Sequence, residues 1–147
     1  MLSKDQQQCY DAVCKGKNLF ITARAGAGKS YLINYIIENI KKSIILCAST
    51  GISATIIGGR TLHSQFLISN DQDAEESAMQ IKASEKRYNK IKKSKILIID
   101  EISMVSDKLL DCIDKICRII REKPTKAFGG LQVIFCGDFL QLPPVFR

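Results

Sequence analysis

The stretch Ala23-Arg24-Ala25-Gly26-Ala27-Gly28-Lys29-Ser30 lies between an apolar run at residues 19–22 and a helix-like segment at residues 30–41. A polyphosphate needs several convergent backbone N–H donors, a helix N-terminus and a cation. A small-residue loop that ends in Gly-Lys-Ser supplies all three. The stretch therefore predicts a loop that binds the phosphates of a nucleoside triphosphate.

The residues of this loop have separate predicted tasks. Lys29 is expected to reach the β- and γ-phosphates, and the Ser30 hydroxyl is expected to be a ligand of Mg²⁺. Backbone amides cradle the phosphates, and the residues predicted to line that cradle are Ala25, Gly26, Ala27 and Gly28. Ala23 replaces the first glycine of the usual pattern, and a methyl group is expected to be tolerated because the end of a strand needs no positive φ. Arg24 either contacts a phosphate or a partner or, as we favour, points into solvent.

A second motif follows the apolar run at residues 96–99, which is predicted to be a buried strand. The run ends in two carboxylates, Asp100 and Glu101. In a magnesium–nucleotide site, Asp100 would hold the metal through its waters, and Glu101 would orient and deprotonate the attacking water. The alternative, a solvated acidic pair at a strand end, is disfavoured beside a phosphate loop.

Short apolar runs alternate with helix-like segments along the chain. The runs lie at residues 19–22, 44–48, 96–99 and 132–136, and the helix-like segments lie at residues 4–15, 30–41, 76–92 and 106–121. This alternation predicts an α/β fold, with a parallel β-sheet flanked by helices on both faces. Ligands bind at the carboxyl edge of such a sheet, so the loop and the acidic pair are expected to meet around one nucleotide.

The composition limits the class of protein. With 147 residues, 46% of them hydrophobic, the chain is predicted to form a single domain over residues 1–147. A formal net charge of +7 favours a polyanionic partner, although a basic surface that only aids solubility explains the charge equally well. The chain has neither an apolar signal segment nor a run approaching the ~18 apolar residues of a membrane span, so we expect an intracellular, soluble protein with no membrane partner.

The six cysteines include no C-x-x-C pair. Cys47 and Cys136 lie in strand-like runs, so buried, reduced thiols are expected rather than a zinc site or a disulfide framework. Elsewhere, residues 70–76 are acidic and polar, and residues 82–95 carry seven lysine or arginine residues and one glutamate. We interpret these segments as a surface loop that leads into a basic helix with a solvated face.

Five segments carry a family resemblance. They are Leu2–Gln6, Cys47–Ala54 (CASTGISA), Gly58–Ser64 (GGRTLHS), Leu97–Val105 (LIIDEISMV) and Phe128–Val145 (FGGLQVIFCGDFLQLPPV). From residue 2 to residue 146 they resemble, in family order, the Pif-one family of ATP-dependent DNA helicases, in the 5′-to-3′ branch of superfamily one. A RecD-type helicase is the alternative within this enzyme class.

The resemblance implies a RecA-like P-loop NTPase domain that uses ATP and Mg²⁺ and binds single-stranded DNA. It further implies a role in DNA repair, recombination or telomere maintenance. The compartment would be the nucleus or mitochondrion for a eukaryotic member, and the cytoplasm for a bacterial or viral one.

The resemblance also implies roles for two glutamines. Gln6 would read the adenine edge, because an amide can donate and accept at once. Its alternative role is a capping box with Ser3 at the start of the first helix. Gln141 would be a catalytic sensor of the γ-phosphate, steadied by Asp138, and its alternative is a polar loop residue before two prolines.

A third set of residues matches family positions along single-stranded DNA. Thr50, Gly51, His63 and Ser64 are expected to meet phosphates through hydroxyl and backbone N–H groups. Phe66 is expected to stack on a base. For His63, a hydrogen-bonded structural histidine is an equal alternative.

The resemblance implies one more partner, the second RecA-like motor domain of the family, which supplies an arginine finger. No match to that domain precedes Arg147, so we expect it on a longer parent chain or on a separate subunit. On this view, the isolated chain hydrolyses ATP poorly and does not unwind DNA. A non-catalytic, nucleotide-dependent module that binds DNA or protein is the alternative from another class, and a small-molecule kinase is a weaker third.

Overall fold

The structure is a computed structural model that describes residues 1–23, 28–69 and 73–138. Across these residues the strands are Leu19–Ala23 (β1), Ile44–Ala48 (β2), Arg60–Thr61 (β3), Ile96–Asp100 (β4) and Gln132–Asp138 (β5). The α-helices are Lys4–Cys14 (α1), Lys29–Asn39 (α2), Gly51–Ile57 (α3), Leu62–Phe66 (α4), Ala74–Lys82 (α5), Glu85–Lys93 (α6) and Asp107–Ile120 (α7). None of the helices in this part of the chain is long and apolar enough to cross a bilayer.

The five strands form one parallel sheet in the order β1-β5-β4-β2-β3. The central strand β4 is buried along its whole length, as expected for an unbroken Ile/Leu run covered on both faces. Leu97 and Ile99 belong to the core shared with α4 to α7, whereas Ile96 and Ile98 belong to the core shared with α1 to α3. The predicted α/β fold, with helices on both faces of a parallel sheet, is therefore confirmed.

Two helices begin at residues that the sequence marks as caps. At α1, the Ser3 hydroxyl accepts a hydrogen bond from the Gln6 amide at 3.2 Å, and the Ser3 amide donates to Oε1 of Gln6 at 2.8 Å. At α7, the Ser106 hydroxyl accepts from the Leu109 amide at 3.1 Å. These bonds satisfy N–H groups that have no partner within the first turn of a helix. The capping box predicted for α1 is thus confirmed.

The single helix predicted over residues 76–92 is wrong, because the structure divides it into α5 and α6. Ser84 is extended, with φ −110° and ψ 99°, and interrupts the helix there. Ile81 and Ile91 are both fully buried in the same core. The two shorter helices therefore each contribute a buried isoleucine to one core.

The segment between β2 and α5 contains three elements that the hydrophobic pattern did not predict, namely α3, β3 and α4. They are too short for a periodic signal to stand out. Gly59 lies at the turn into β3, where a Cβ atom would come within 2.5 Å of the Leu46 carbonyl oxygen. Only glycine permits this close approach of the two backbones, and the approach brings β3 alongside β2.

All six cysteines are free. Cys47 and Cys136 are fully buried, as predicted from their positions in strands. Cys14 is exposed, and Cys9 and Cys112 are half-buried.

Candidate functional site

The first turn of α2 meets the end of β4 at the carboxyl edge of the sheet. Lys29 begins α2, and its Nζ atom lies 2.9 Å from Oδ1 of Asp100, the last residue of β4. Only 12% of the Lys29 side chain and 6% of the Asp100 side chain are exposed. This ion pair joins the helix that follows β1 to the end of β4, two segments that are distant in the sequence.

The backbone conformation at Glu101 orients the second carboxylate of the acidic pair. Glu101 has φ 54° and ψ 49°, the left-handed region that few residues other than glycine adopt. Its amide donates to Oδ1 of Asp100 at 2.9 Å, and the Ser49 hydroxyl donates to its Oε2 at 3.4 Å. The chain therefore turns sharply after β4 and directs Glu101 toward the end of β2.

Gln6 joins α1 to the start of α2. While its Oε1 atom completes the capping box, its Nε2 atom donates to the Gly28 carbonyl at 3.1 Å. Gly28 has φ 88°, and a Cβ atom there would lie 2.7 Å from Gln6 Nε2. The amide of Gln6 thus has both of its ends engaged beside the phosphate loop, and base reading requires at least one of them to be released.

The oxygen atoms near Lys29 suit a small, hard cation. Ser30 is exposed in the first turn of α2, next to Lys29. Among the described residues, the contacts that Asp100 makes with Lys29 and with the Glu101 amide both use Oδ1. A hydroxyl and a carboxylate are oxygen donors of the kind that Mg²⁺ takes, together with its waters and phosphate oxygens. Within the described residues no three His, Cys, Asp or Glu side chains gather as a metal cluster.

The residues predicted along DNA lie at the ends of two paired strands. Ala48 of β2 is paired with Thr61 of β3. Thr50 lies two residues after the end of β2, and His63 lies two residues after the end of β3. Gly51 begins α3 and is exposed, with open space where a Cβ atom would stand. These residues consequently share one edge of the sheet.

Some polar groups of these residues already form hydrogen bonds within the domain, whereas others are exposed. The Thr50 hydroxyl accepts from the Ser53 amide at 3.2 Å and caps α3. The Ser64 amide donates to the Thr61 hydroxyl at 3.1 Å, so this N–H is already used by a cap. His63 is exposed and lines a cavity of about 770 Å³. Exposure leaves His63 open to a ligand, whereas the Ser64 amide would have to exchange its partner.

The prediction for Phe66 is wrong. Its side chain is fully buried and packs in the core on the α4 to α7 side of the sheet. Phe66 ends a five-residue helix whose other apolar residue, Leu62, is also fully buried. Because these residues lie four apart, they share the face of α4 that turns toward the core. No aromatic surface at this position is available to a base.

Two contacts were missed by reasoning from the sequence. Ser49 contacts Glu101, and its position directly after β2, the strand that neighbours β4, is a signal that was available. Arg87 of α6 donates through Nε to the Ser64 carbonyl at 3.4 Å, and no local pattern indicates that contact.

Part of the predicted site lies outside the described residues. Ala25, Gly26, Ala27 and Gln141, with Arg24, fall there. Their proposed tasks in phosphate binding and γ-phosphate sensing remain predictions. The described part of the predicted nucleotide site consists of Gln6, Gly28, Lys29, Ser30, Asp100 and Glu101.

Comparison with known proteins gives a consistent result. The family model described as PIF1-like helicase matches residues 1–147. ATP-dependent DNA helicase PIF1 of Danio rerio is 45% identical over 147 residues, which cover 99% of this chain and 23% of that protein. The crystal structure of Pif1 helicase from Candida albicans has a TM-score of 0.88 and 39% identity, covering 99% of this chain and 34% of that one.

A second solved structure was determined with ligands. The Pif1 helicase from Bacteroides, in complex with ADP-AlF3 and ssDNA, has a TM-score of 0.82 and 36% identity. The match covers 100% of this chain and 34% of that one. This chain therefore spans about a quarter of the zebrafish relative and about a third of the two solved chains.

Proposed function

This chain belongs to the PIF1-like helicase family, and we propose that it forms the ATP-binding motor domain of a 5′-to-3′ DNA helicase. The observation that carries the proposal is the 2.9 Å pair between Lys29 and Asp100. Burying a cation and a carboxylate costs desolvation energy. Such buried charges are found most often at functional sites, where a charged ligand can replace one partner of the pair.

We propose that bound ATP changes the partner of Lys29. The ammonium group would leave Asp100 for the β- and γ-phosphates, whose negative charge is larger. Ser30 and Asp100 would hold Mg²⁺, which neutralises phosphate charge when bound. Gln6 would release the Gly28 carbonyl and use both ends of its amide on the adenine edge. Ala25, Gly26, Ala27 and Gly28 would supply backbone amides to the phosphates.

Glu101 is proposed to act as the general base. The left-handed backbone at Glu101 sets its carboxylate beyond the end of β4, beside Ser49. From there the carboxylate can accept a proton from the water that attacks the γ-phosphate, while the Ser49 hydroxyl holds it in place. Gln141 is proposed to sense the γ-phosphate.

Single-stranded DNA is proposed to run along the edge formed by the starts of α3 and α4. Thr50, Gly51, His63 and Ser64 share this edge, and hydroxyl and N–H groups there suit phosphate contacts that do not read the base sequence. The likeness of the chain to the Bacteroides relative in complex with ADP-AlF3 and ssDNA supports the proposal that the chain binds single-stranded DNA. Phe66 is not part of the proposed surface.

A second motor domain is proposed to complete the ATP site with an arginine finger. An arginine finger increases the rate of hydrolysis on the order of 10³- to 10⁵-fold. A polypeptide of these 147 residues alone is therefore expected to bind Mg-ATP weakly, to hydrolyse it slowly and not to unwind DNA. DNA repair, recombination and telomere maintenance are the proposed processes, and the compartment is proposed to be one that contains DNA.

The decisive experiment measures steady-state ATP hydrolysis and ATP binding by the chain, with and without single-stranded DNA. The Lys29→Ala variant is the blank. Hydrolysis above the blank that rises with DNA would support a motor domain that completes its own site. Binding that needs Lys29, without turnover, would support a motor domain that needs its second half. If the chain neither binds ATP nor hydrolyses it, the proposed function is contradicted.

A further inference from the structure

Helix α6 carries a row of exposed lysines. Lys86, Lys90 and Lys93 follow one another at spacings of four and three residues, which places them on one face of the helix. All three are exposed. Ile91 is fully buried and Tyr88 packs against the same core, so the opposite face of α6 holds the helix to the domain. We call Lys86, Lys90 and Lys93 the α6 ridge.

No described residue forms an ion pair with a ridge lysine. Among the described residues, the ion pair on α6 joins Lys92 to Glu122, at 3.3 Å, and no ridge lysine takes part in one. Like charges four residues apart on a helix repel one another and destabilise it. An anionic ligand would relieve this repulsion.

The ridge begins beside the proposed path of single-stranded DNA. Arg87, one residue after the first ridge lysine, donates to the Ser64 carbonyl at 3.4 Å and so connects α6 with α4. Arg60 of the edge strand β3 is also exposed, and the next residue, Thr61, accepts a hydrogen bond from the Ser64 amide at 3.1 Å. A further cation therefore lies near the same end of the proposed DNA path.

The far end of the ridge adds further lysines. The Lys95 amide donates to the Ser43 carbonyl at 2.9 Å, which places the residues after α6 next to those before β2. Lys41, Lys42 and Lys95 are exposed there. Further exposed lysines therefore lie near the C-terminal end of α6.

We propose that the α6 ridge binds the phosphate backbone of duplex DNA that adjoins the single-stranded segment, an inference that rests on the proposed DNA-binding function. The exposed residues of α6 are Glu85 and the three lysines, so the ridge offers no aromatic surface on which unpaired bases could stack. From Lys86 to Lys93 the helix rises ~10 Å, about the length that three successive base pairs occupy on a duplex axis.

The test uses fluorescence anisotropy with two probes, a short oligothymidylate and a duplex that carries a single-stranded tail. The test variant is Lys86→Gln/Lys90→Gln/Lys93→Gln. The control variant is Lys15→Gln/Lys17→Gln/Lys126→Gln, which removes the same charge from exposed positions outside α6. Each protein is titrated between about 50 mM and about 200 mM salt, the range over which phosphate contacts weaken steeply.

The ridge variant should bind the oligothymidylate as the parent does, which also shows that it is folded. On the tailed duplex, the slope of log affinity against log salt concentration should be less negative by about 2.7 for the ridge variant than for the parent. Across a fourfold rise in salt, the parent should therefore lose roughly 40-fold more affinity than the ridge variant. The control variant should keep the parental dependence.

Two results would overturn the inference, and they differ in what else they overturn. If the ridge variant and the control have the same salt dependence on the tailed duplex, the duplex contact fails while the proposed function stands. An acidic protein would then be the better candidate for the ridge. If the parent binds neither probe, the proposed DNA-binding function fails together with the ridge.

Discussion

The Nζ atom of Lys29 lies 2.9 Å from Oδ1 of Asp100, where the first turn of α2 meets the end of β4. Without nucleotide, each group therefore satisfies the other at a nearly dry position. We expect ATP to compete with Asp100 for Lys29, so that part of the energy of phosphate binding is used to separate the pair.

A double-mutant cycle measures the interaction free energy between Lys29 and Asp100. Lys29→Met leaves the Asp100 carboxylate buried without its cation, and Asp100→Asn leaves the ammonium without its anion. Each single variant should lower the free energy of unfolding in urea, and the double variant should be destabilised by less than the sum. The expected coupling is about 1–3 kcal/mol without nucleotide. Strictly additive effects would mean that the two groups do not interact in solution.

Gln6 forms half of a capping box and is proposed to read the base, and Ser3 helps to distinguish the two roles. Gln6→Ala should remove both the base contact and half of the capping box, whereas Ser3→Ala should weaken only the cap. Both variants should lose about 1 kcal/mol of stability. Only Gln6→Ala should lose the preference for ATP over GTP, which we expect to be roughly tenfold from a net hydrogen-bond energy near 1.4 kcal/mol. Nucleotide affinities measured by calorimetry would decide between the roles, and equal affinity of the parent for ATP and GTP would rule out base reading.

Glu101→Gln should separate catalysis from binding. The amide keeps the size of the side chain and its contact with Ser49 but cannot accept a proton. DNA-stimulated hydrolysis should fall by about 10²- to 10⁴-fold, with ATP affinity nearly unchanged. If the parent does not hydrolyse ATP, yet ATP alters DNA affinity equally in parent and variant, the chain acts as a nucleotide-dependent binding module instead.

Arg121 should be one of the main stabilising residues away from the site. Its guanidinium group is buried and donates to the carbonyls of Ile91, Lys92, Ser94 and Gly129, at 2.9, 3.1, 2.7 and 2.8 Å. Arg121→Met would leave these carbonyls, three of them at the end of α6, without their donor. We expect a loss of about 3 kcal/mol in urea unfolding.

Arg118→Met is the matched control for Arg121. Arg118 lies one turn earlier on α7 and is 33% exposed, and it pairs with Asp114 at 3.0 Å. Arg118 also donates to the Pro124 carbonyl at 2.9 Å. Because this pair is partly exposed to solvent, the variant should lose about 1 kcal/mol, less than Arg121→Met. Equal losses for both arginines would contradict the role assigned to Arg121.

Alkaline pH should destabilise the fold through Cys47. Burial raises the pKa of this thiol from 9.0 to about 12, so above pH 9 the unfolded chain loses the proton while the folded chain keeps it. Stability is then lost as pH rises from 9 toward 12, by on the order of 1 kcal/mol per pH unit. Cys47→Ala should make this decline less steep in thermal unfolding between pH 9 and pH 11, and the rest of the decline should remain because burial also raises the pKa of Cys117 and Cys136. Cys14→Ala, at an exposed position, should leave it unchanged.

Much of the fold follows from local patterns. The predicted apolar runs became β1, β2, β4 and β5 with boundaries within two residues, and α1, α2 and α7 match their predicted segments almost as closely. These elements are long or strongly patterned, so local preference and burial agree. The pairing of Lys29 with Asp100 agrees with the expectation that ligand residues gather at the carboxyl edge of a parallel sheet.

Other features depend on contacts that no local pattern records. Phe66 looks like a base-stacking residue in its motif, but its position in α4 turns it into the core. The break at Ser84 divides the predicted helix between two residues, Ile81 and Ile91, that are buried in one core. The contact of Arg87 with Ser64 joins residues that are 23 apart in the chain.

The sequence by itself determined the phosphate-loop motif, the acidic end of β4, the parallel α/β arrangement and the family resemblance, because each depends on residue type and spacing along the chain. Only the tertiary structure decided which side chains hold one another: Lys29 with Asp100, Gln6 with Gly28 and Ser49 with Glu101. It also decided that Phe66 is buried while the α6 ridge is exposed. The physical reason is that burial and partnership depend on which elements pack together, and long-range contacts set that packing.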